Sequence, residues 1–298
     1  MTRRLNLILL AVLLFVGTPF YWLLLDNSGS GAPAKPVTIE QLRKLADAMP
    51  GARPGKVTYE LAAYRLLPGN LLVAGSGMKR KLVGVMAWRL EIPGGKPVMI
   101  DSGIQQKDAD NSGSSKFHAD AQQRIERSLS EAGLILLTHE HLDHAGGVMA
   151  LAADSPLRNS VRLNPAQAKA PGLSGTAALP AGSMPFAVAP GIVVIPAPSH
   201  TPGSQLIFVA MADGTELLFV GDVSSFTQNW AEGRARSRLV SQYILSENRR
   251  EVFSWLHTLT ALKQADPTLV IVPGHDFEWV HDPQNKVPAR RGFYAPVV

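Results

Sequence analysis

The chain has no cysteine among its 298 residues. Disulfides, zinc fingers, a cysteine nucleophile and a lipoprotein acyl anchor are therefore excluded, and any metal must be held by nitrogen and oxygen. Aromatic residues are scarce at 7%, and charged residues reach only 18%. No long basic run interleaves with aromatics. The basic clusters are short, at Lys79-Arg80-Lys81, within 234–238 and at Arg249-Arg250, and they read as solvated surface in spite of the net charge of +5. Nucleic acid is thus not an expected partner. No internal repeat is visible, and with 46% hydrophobic residues the chain can fill a sizeable core.

One long apolar run is present. Arg3 and Arg4 precede residues 5–25, interrupted mainly by Asn6, Thr18 and Pro19. About 20 apolar residues cross a bilayer, whereas a signal-peptide core holds roughly 7–15. The segment reads as a membrane anchor or signal, with the N-terminus cytoplasmic and the remainder translocated to a periplasmic or extracellular side. Ala32-Pro33-Ala34 resembles a cleavage site spoiled by its proline, so an uncleaved anchor is preferred to a cleaved, secreted form. Residues 26–36, rich in Gly, Ser, Pro and Ala, read as a linker. The expected division is an anchor or signal over 1–25, a linker and leading helix over 26–55, and one catalytic-size domain over 56–298.

Within that domain, hydrophobic periodicity predicts strands over 57–67, 82–92, 97–100, 134–137, 192–195, 206–211, 216–220 and 269–272. Helices are predicted over 38–49, capped by Thr38, over 119–132, over 246–264, and from Gly146-Gly147 to about 154. Residues 158–190 carry no clear pattern. Strands interspersed with helices point to sheets covered by helices.

The chemistry is concentrated in Thr138-His139-Glu140-His141-Leu142-Asp143-His144, directly after a short apolar strand. Neutral imidazole and carboxylate suit zinc, iron and manganese. In a turn, His139 and His141 can take one cation while Asp143 and His144 take another. His200, Asp222 and His275 each sit in the loop leaving a predicted strand, beside glycine, where residues distant in sequence converge. The zincin reading of Glu140 fails, because His144 follows His139 by five positions and Gly146-Gly147 come next. Glu140 is expected to point outward. His118, His257 and His281 match no motif and read as ordinary residues, and Trp88 and Trp230 as packing, with the pocket mouth as the other reading of Trp230. A cap is one reading of Asp276.

The ordered set HxHxDH, His, Asp, His resembles the metallo-β-lactamase superfamily, over roughly 57–276. The resemblance implies an αββα four-layer sandwich with the site at one end of its sheets. It implies that His139, His141 and His200 hold one divalent cation, that Asp143, His144 and His275 hold a second, and that Asp222 bridges them. Two Zn2+ are the first expectation, with Fe or Mn as alternatives. Asp101 would orient a ligand from behind, Asp143 would also relay a proton, and Tyr243 stands where some lactonases in the family place a substrate-contacting tyrosine, although core packing is the plainer reading. Zinc β-lactamases with a cysteine ligand are excluded. The pattern is closer to the glyoxalase II, lactonase and phosphodiesterase branches.

The expected function is hydrolysis of an ester, lactone or thioester on a small molecule, by hydroxide ionised between two cations. A mononuclear-iron persulfide dioxygenase and a nuclease of the same fold are the alternatives. The pocket is expected to be shaped by 159–190 and 224–246. Substrate, metal identity and oligomeric state are not encoded in these motifs.

Overall fold

The computed structural model describes residues 2–29, 31–173 and 177–294. Its longest pairing is the antiparallel ladder of β1 (Lys56–Pro68) with β2 (Arg80–Glu91), in which Tyr59 faces Trp88. A register shift between Leu61 and Ala63 reverses the alternation. Val57, Tyr59 and Leu61 therefore face one side and Ala62 and Ala63 lie in the opposite core. β3 (Val98–Ile100) continues the sheet antiparallel to β2, β4 (Lys116–Phe117) pairs with β1, and β5 (Leu134–Leu136), β6 (Val161–Leu163) and β7 (Ala177–Ala178) follow in parallel. The second sheet has the order β12-β11-β10-β9-β8 and comprises β8 (Phe186–Ala189), β9 (Ile192–Pro196), β10 (Gln205–Ala210), β11 (Glu216–Phe219) and β12 (Val270–Val272). β13 (Arg290–Arg291) closes the free edge of β1.

Between the sheets lies a core that includes Tyr59, Met86, Trp88, Ile207, Val209 and Phe219, with Trp88 and Phe219 edge to face at 5.1 Å. Outside the first sheet, the helices Ala119–Glu131 and Leu142–Met149 bury Ile125, Leu129, Ala145 and Val148 on Met99, Ile135 and Leu137. Outside the second, Ile39–Ala46 and Arg249–Ala265 bury Leu42, Trp255 and Leu259 on Val193, Ile195 and Phe208. The layers are helix, sheet, sheet, helix, the αββα sandwich expected. Both faces of β10 are covered, which is why it reads as an unbroken apolar run rather than an alternating one.

Strand direction positions the site. β3 and β5 run parallel, and β9, β11 and β12 run in a common direction because β10 is antiparallel to both β9 and β11. Their C-terminal ends deliver Asp101, His139, His200, Asp222 and His275 to one edge of the sandwich.

The N-terminal helix spans Arg3–Leu25, long and apolar enough to cross a membrane, and none of its apolar window is buried in the protein. A signal sequence near the N-terminus can meet the same criterion. Two of its stretches, Leu13–Gly17 and Tyr21–Leu25, are wound as π-helix, and Pro19 between them has no N–H to donate to the Phe15 carbonyl in the first. The following segment does not behave as the loose linker expected from its composition. Ala32 is buried against Phe253 and Ala235, its carbonyl accepts from His257 Nδ1 at 2.7 Å, and Lys35 N donates to Thr258 Oγ1 at 2.7 Å. Small residues there fit close docking on the helix Arg249–Ala265.

Candidate metal centre

The histidine-rich segment splits between two conformations. His139 follows β5 directly, while His141 caps the helix Leu142–Met149, so Asp143 and His144 lie in that helix's first turn. The helix starts earlier than Gly146-Gly147, the point predicted from sequence. The glycines serve contact instead. A Cβ on Gly147 would stand 2.4 Å from the Ser102 carbonyl, and one on Gly146 2.9 Å from Ile104 Cα. The helix thus presses its start onto the loop after β3. Two further glycines stack the other loops. Gly221, at φ +48°, would put a Cβ 2.7 Å from that of Thr138, and Gly274 would put one 2.7 Å from the Gly221 carbonyl carbon. Without side chains at these points, the loops leaving β5, β11 and β12 approach close enough for His139, Asp222 and His275 to meet.

The side chains form two adjoining groups. In one, His139 Nε2 and His200 Nε2 lie 3.1 and 3.0 Å from His141 Nδ1, and His200 Nε2 is 3.4 Å from Asp222 Oδ2. In the other, His275 Nε2 lies 3.0 Å from Asp222 Oδ1, 3.4 Å from His144 Nε2 and 3.7 Å from Asp143 Oδ2. Asp222 turns one oxygen to each group. Ligands about 2.05 Å from a tetrahedral cation are separated by about 3.3 Å, so these spacings suit ion binding.

The ring nitrogens facing away are mostly engaged. His144 Nδ1 donates to Asp101 Oδ2 at 2.8 Å, His200 Nδ1 to Glu247 Oε1 at 2.6 Å, and His275 Nδ1 to the Gly84 carbonyl at 2.7 Å, while His139 Nδ1 lies 3.2 Å from Thr138 Oγ1. Fixing one nitrogen aims the other at the centre. Asp101 is held in the left-handed region at φ 60°, a strain of order 1 kcal/mol, and accepts from Thr138 N at 2.7 Å.

The protonation states suit cation binding. Burial and the neighbouring His144, His200 and His141 hold His139 well below the usual imidazole range, and burial with His200 lowers His141. Burial alone would raise Asp222, but His275, Arg236 and His200 outweigh it and keep the carboxylate ionised. Asp143 is likewise lowered, burial being overcome by His144 and His275. For His144, burial is outweighed by Asp101, Asp143 and Asp222, which push it up to about 9 in the metal-free cluster.

Arg236 and Glu247 are additional members of the cluster. Arg236 Nη2 is 2.8 Å from Asp222 Oδ2, and its Nη1 donates to Glu247 Oε1 at 2.6 Å. Both are buried. The basic stretch 234–238 is therefore not simply solvated surface, and Arg249 is also buried, donating to the Arg236 carbonyl at 2.6 Å. Arg236 looks like surface in sequence because its acidic partners lie 14 positions before it and 11 after it.

Other residues fall outside the centre. Tyr243 is neither in the cleft nor in the core, so neither the lactonase-like contact nor the core packing expected of it is seen: it is 63% exposed, and its ring meets Trp22 of the N-terminal helix at 6.2 Å. The helical stretch Leu239–Ile244 turns that stripe away from the cleft. Glu140 does not point outward as expected: it is half-buried and has a structural role, accepting from Thr201 Oγ1 and Gly203 N. Asp276 caps the helix Phe277–His281.

A cavity of about 470 Å³ opens over the cluster. Its floor holds His141, Asp143, His200, Asp222 and His275, and its walls are mainly apolar, among them Leu67, Leu72, Val83, Val240, Ile244 and Leu245. Residues 225–245 contribute a wall, as expected. Residues 159–190 contribute none among those described, and the end of β1 with the helical turn Gly69–Leu72 takes that place.

A quorum-quenching N-acyl homoserine lactone lactonase superimposes with a TM-score of 0.62 at 19% identity, covering 77% of this chain and 95% of its own. A probable metal-dependent hydrolase from Staphylococcus aureus does so at 0.57 and 13% identity, covering 76% and 91%. AidC, a dizinc quorum-quenching lactonase, does so at 0.53 and 12%, covering 76% and 90%. These likenesses concern the fold. A search of curated proteins returned no match. The profile of the metallo-beta-lactamase superfamily matches residues 80–275, from β2 through β12 and including every proposed ligand. On that match and this architecture, the chain belongs to the metallo-beta-lactamase superfamily.

Proposed function

We propose that the chain is a two-metal hydrolase that opens a lactone or ester carrying an apolar acyl group. The observation that carries this is Asp222, whose two oxygens face separate histidine groups at 3.0 and 3.4 Å, beneath an apolar cleft. His139, His141 and His200 would hold one cation and Asp143, His144 and His275 the other, with Asp222 shared. Such cations supply Lewis-acid polarisation and a water ionised near neutral pH. The protein's own groups do the rest. Asp143, the most exposed carboxylate of the cluster at 23%, is held ionised and faces the cleft, where it takes up and passes on a proton. Arg236 and Glu247 offset each other and leave the centre mildly cationic, which favours an anionic tetrahedral intermediate. The apolar walls exclude water and seat an acyl chain.

The lactone is preferred because structurally similar enzymes include lactonases, one with its product N-hexanoyl-L-homoserine at the catalytic metal centre. The helix Arg3–Leu25 is read as a retained anchor, with the sandwich on the translocated side. The test is metal analysis of the full-length protein combined with assays on acyl lactones, thioesters and phosphodiesters. Two zinc ions per chain with lactone opening is expected. One iron per chain with sulfite production from a persulfide would replace this reading with an oxidative one.

A further inference from the structure

The wall of the cleft and the end of the N-terminal helix form one unit. In the helical stretch Leu239–Ile244, Val240 and Ile244 line the cleft, while Leu239 and Tyr243, on the adjacent stripe, line an apolar groove with Thr18, Pro19, Trp22 and Leu23. Arg238 lies over the Trp22 ring at 5.3 Å. No slack chain separates helix from domain. Gly75 N donates to the Leu24 carbonyl at 3.1 Å, Arg238 pairs with Asp26 at 2.6 Å, and Asn27 donates to the Gly233 carbonyl at 2.9 Å. The point where the helix leaves the domain is thus clamped to loops that build the cleft.

The surface around this clamp is apolar and cationic together. Tyr243, Ile244 and Met78 are each more than 60% exposed, and Lys79 and Arg80, next to Met78, are exposed as well. Bare apolar side chains beside an aromatic ring and cations suit the boundary between lipid headgroups and acyl chains. Ile244 belongs to both surfaces, since it lines the cleft and stands at its exposed rim.

We propose that the mouth of the cleft is held at the bilayer surface and takes an acyl amphiphile laterally from the lipid. The chain of that substrate follows Ile244, Val240, Leu245 and Leu67, and its lactone or ester head reaches Asp143 and His275. This deepens the hydrolase reading and rests on it and on the retained anchor.

The absence of cysteine makes single labelling sites available. Full-length protein carrying Ile244→Cys, Met78→Cys or, at the far end of the sheets, Asp213→Cys is labelled with an environment-sensitive fluorophore. It is then reconstituted in phosphatidylcholine–phosphatidylglycerol vesicles with or without brominated acyl chains. Quenching by brominated lipid at 244 and 78 but not at 213 is expected. Equal quenching at all positions, or none at 244 and 78, overturns the geometry. Separately, a Gly-Ser spacer of about 15 residues between Leu25 and Asp26 releases the clamp. Hydrolysis of a soluble butanoyl lactone should persist, while turnover of a vesicle-bound dodecanoyl lactone should fall about tenfold or more, because the mouth no longer sits at the lipid. Unchanged turnover of both overturns the proposal. If the unmodified protein hydrolyses neither, the hydrolase reading fails, and with it the substrate assignment, while the quenching pattern still decides whether the mouth meets lipid.

Discussion

Arg236 Nη2 lies 2.8 Å from Oδ2 of Asp222, so a buried guanidinium shares the carboxylate that joins the two histidine groups. The same guanidinium donates to Glu247, which in turn holds His200. One cation therefore compensates two buried anions in the metal-free protein.

Replacing that cation is expected to be costly. Arg236→Met keeps much of the volume but strands Asp222 and Glu247. Removing one partner of a buried pair costs about 3–5 kcal/mol. Urea denaturation of metal-free protein should show a loss of that order, and the loss should shrink in metal-loaded protein, where bound cations restore charge beside Asp222. An unchanged midpoint in the metal-free variant would count against the role given to Arg236.

Glu247→Gln tests orientation rather than charge balance alone. The amide oxygen can still accept from His200 Nδ1, but the negative charge that strengthens His200 as a donor to metal is gone. Losses of about 10–100-fold in metal affinity are usual for such outer partners. Competition with a chromophoric chelator should show this, with the circular dichroism of the fold unchanged. Equal affinity would assign Glu247 to balancing Arg236 only.

Much of this centre can be read from sequence, for a physical reason. His139, His200, Asp222 and His275 each stand in the loop that leaves a short apolar run, and strand ends at one sheet edge place such residues together, while His141, Asp143 and His144 follow His139 within five positions. Helix Ile39–Ala46 with its Thr38 cap was equally visible, since the cap hydroxyl accepts from Gln41 N as its position suggests. Arg236 and Glu247 were not visible, because a buried ion pair and a surface one use the same letters. Tyr243 carried no signal of its direction, which depends on the winding of Leu239–Ile244. Residues 26–36 have the composition of a flexible tether, and only their fit against Phe253 and Thr258 shows otherwise.

Gly147→Ala sets two effects against each other. Alanine inside a helix gains about 1 kcal/mol over glycine in intrinsic propensity. At this position the new Cβ would meet the Ser102 carbonyl at 2.4 Å, and overpacking costs about 1–3 kcal/mol. The clash should win. It should also weaken metal binding, because Ser102 N donates to the His144 carbonyl at 2.7 Å and a displaced loop shifts His144. Chemical denaturation and metal content together check the sign; a stabilised variant with full metal would show that the loop yields freely.

Metal uptake should depend on pH through His144. In the metal-free cluster, burial works against its protonated form, yet Asp101, Asp143 and Asp222 raise it to about 9 from its ordinary 6.5. Because the folded value is the higher one, this histidine stabilises the metal-free protein fully below about 6.5, and that contribution is lost as pH rises through 9. A cation must displace the same proton to reach Nε2. Apparent metal affinity should therefore climb as pH rises from 6.5 towards 9, while the stability of the metal-free chain declines over the same interval. Titration calorimetry in buffers of different ionisation enthalpy should detect proton release on zinc binding at pH 7. Asp101→Asn removes the main opposing charge, so it should lower His144 and reduce that release, although the His144 ring is then less firmly aimed. Zinc uptake at pH 7 without proton release in the unaltered protein would mean that His144 is already neutral and that Asp101 orients that ring and holds Thr138 without raising the pKa of His144.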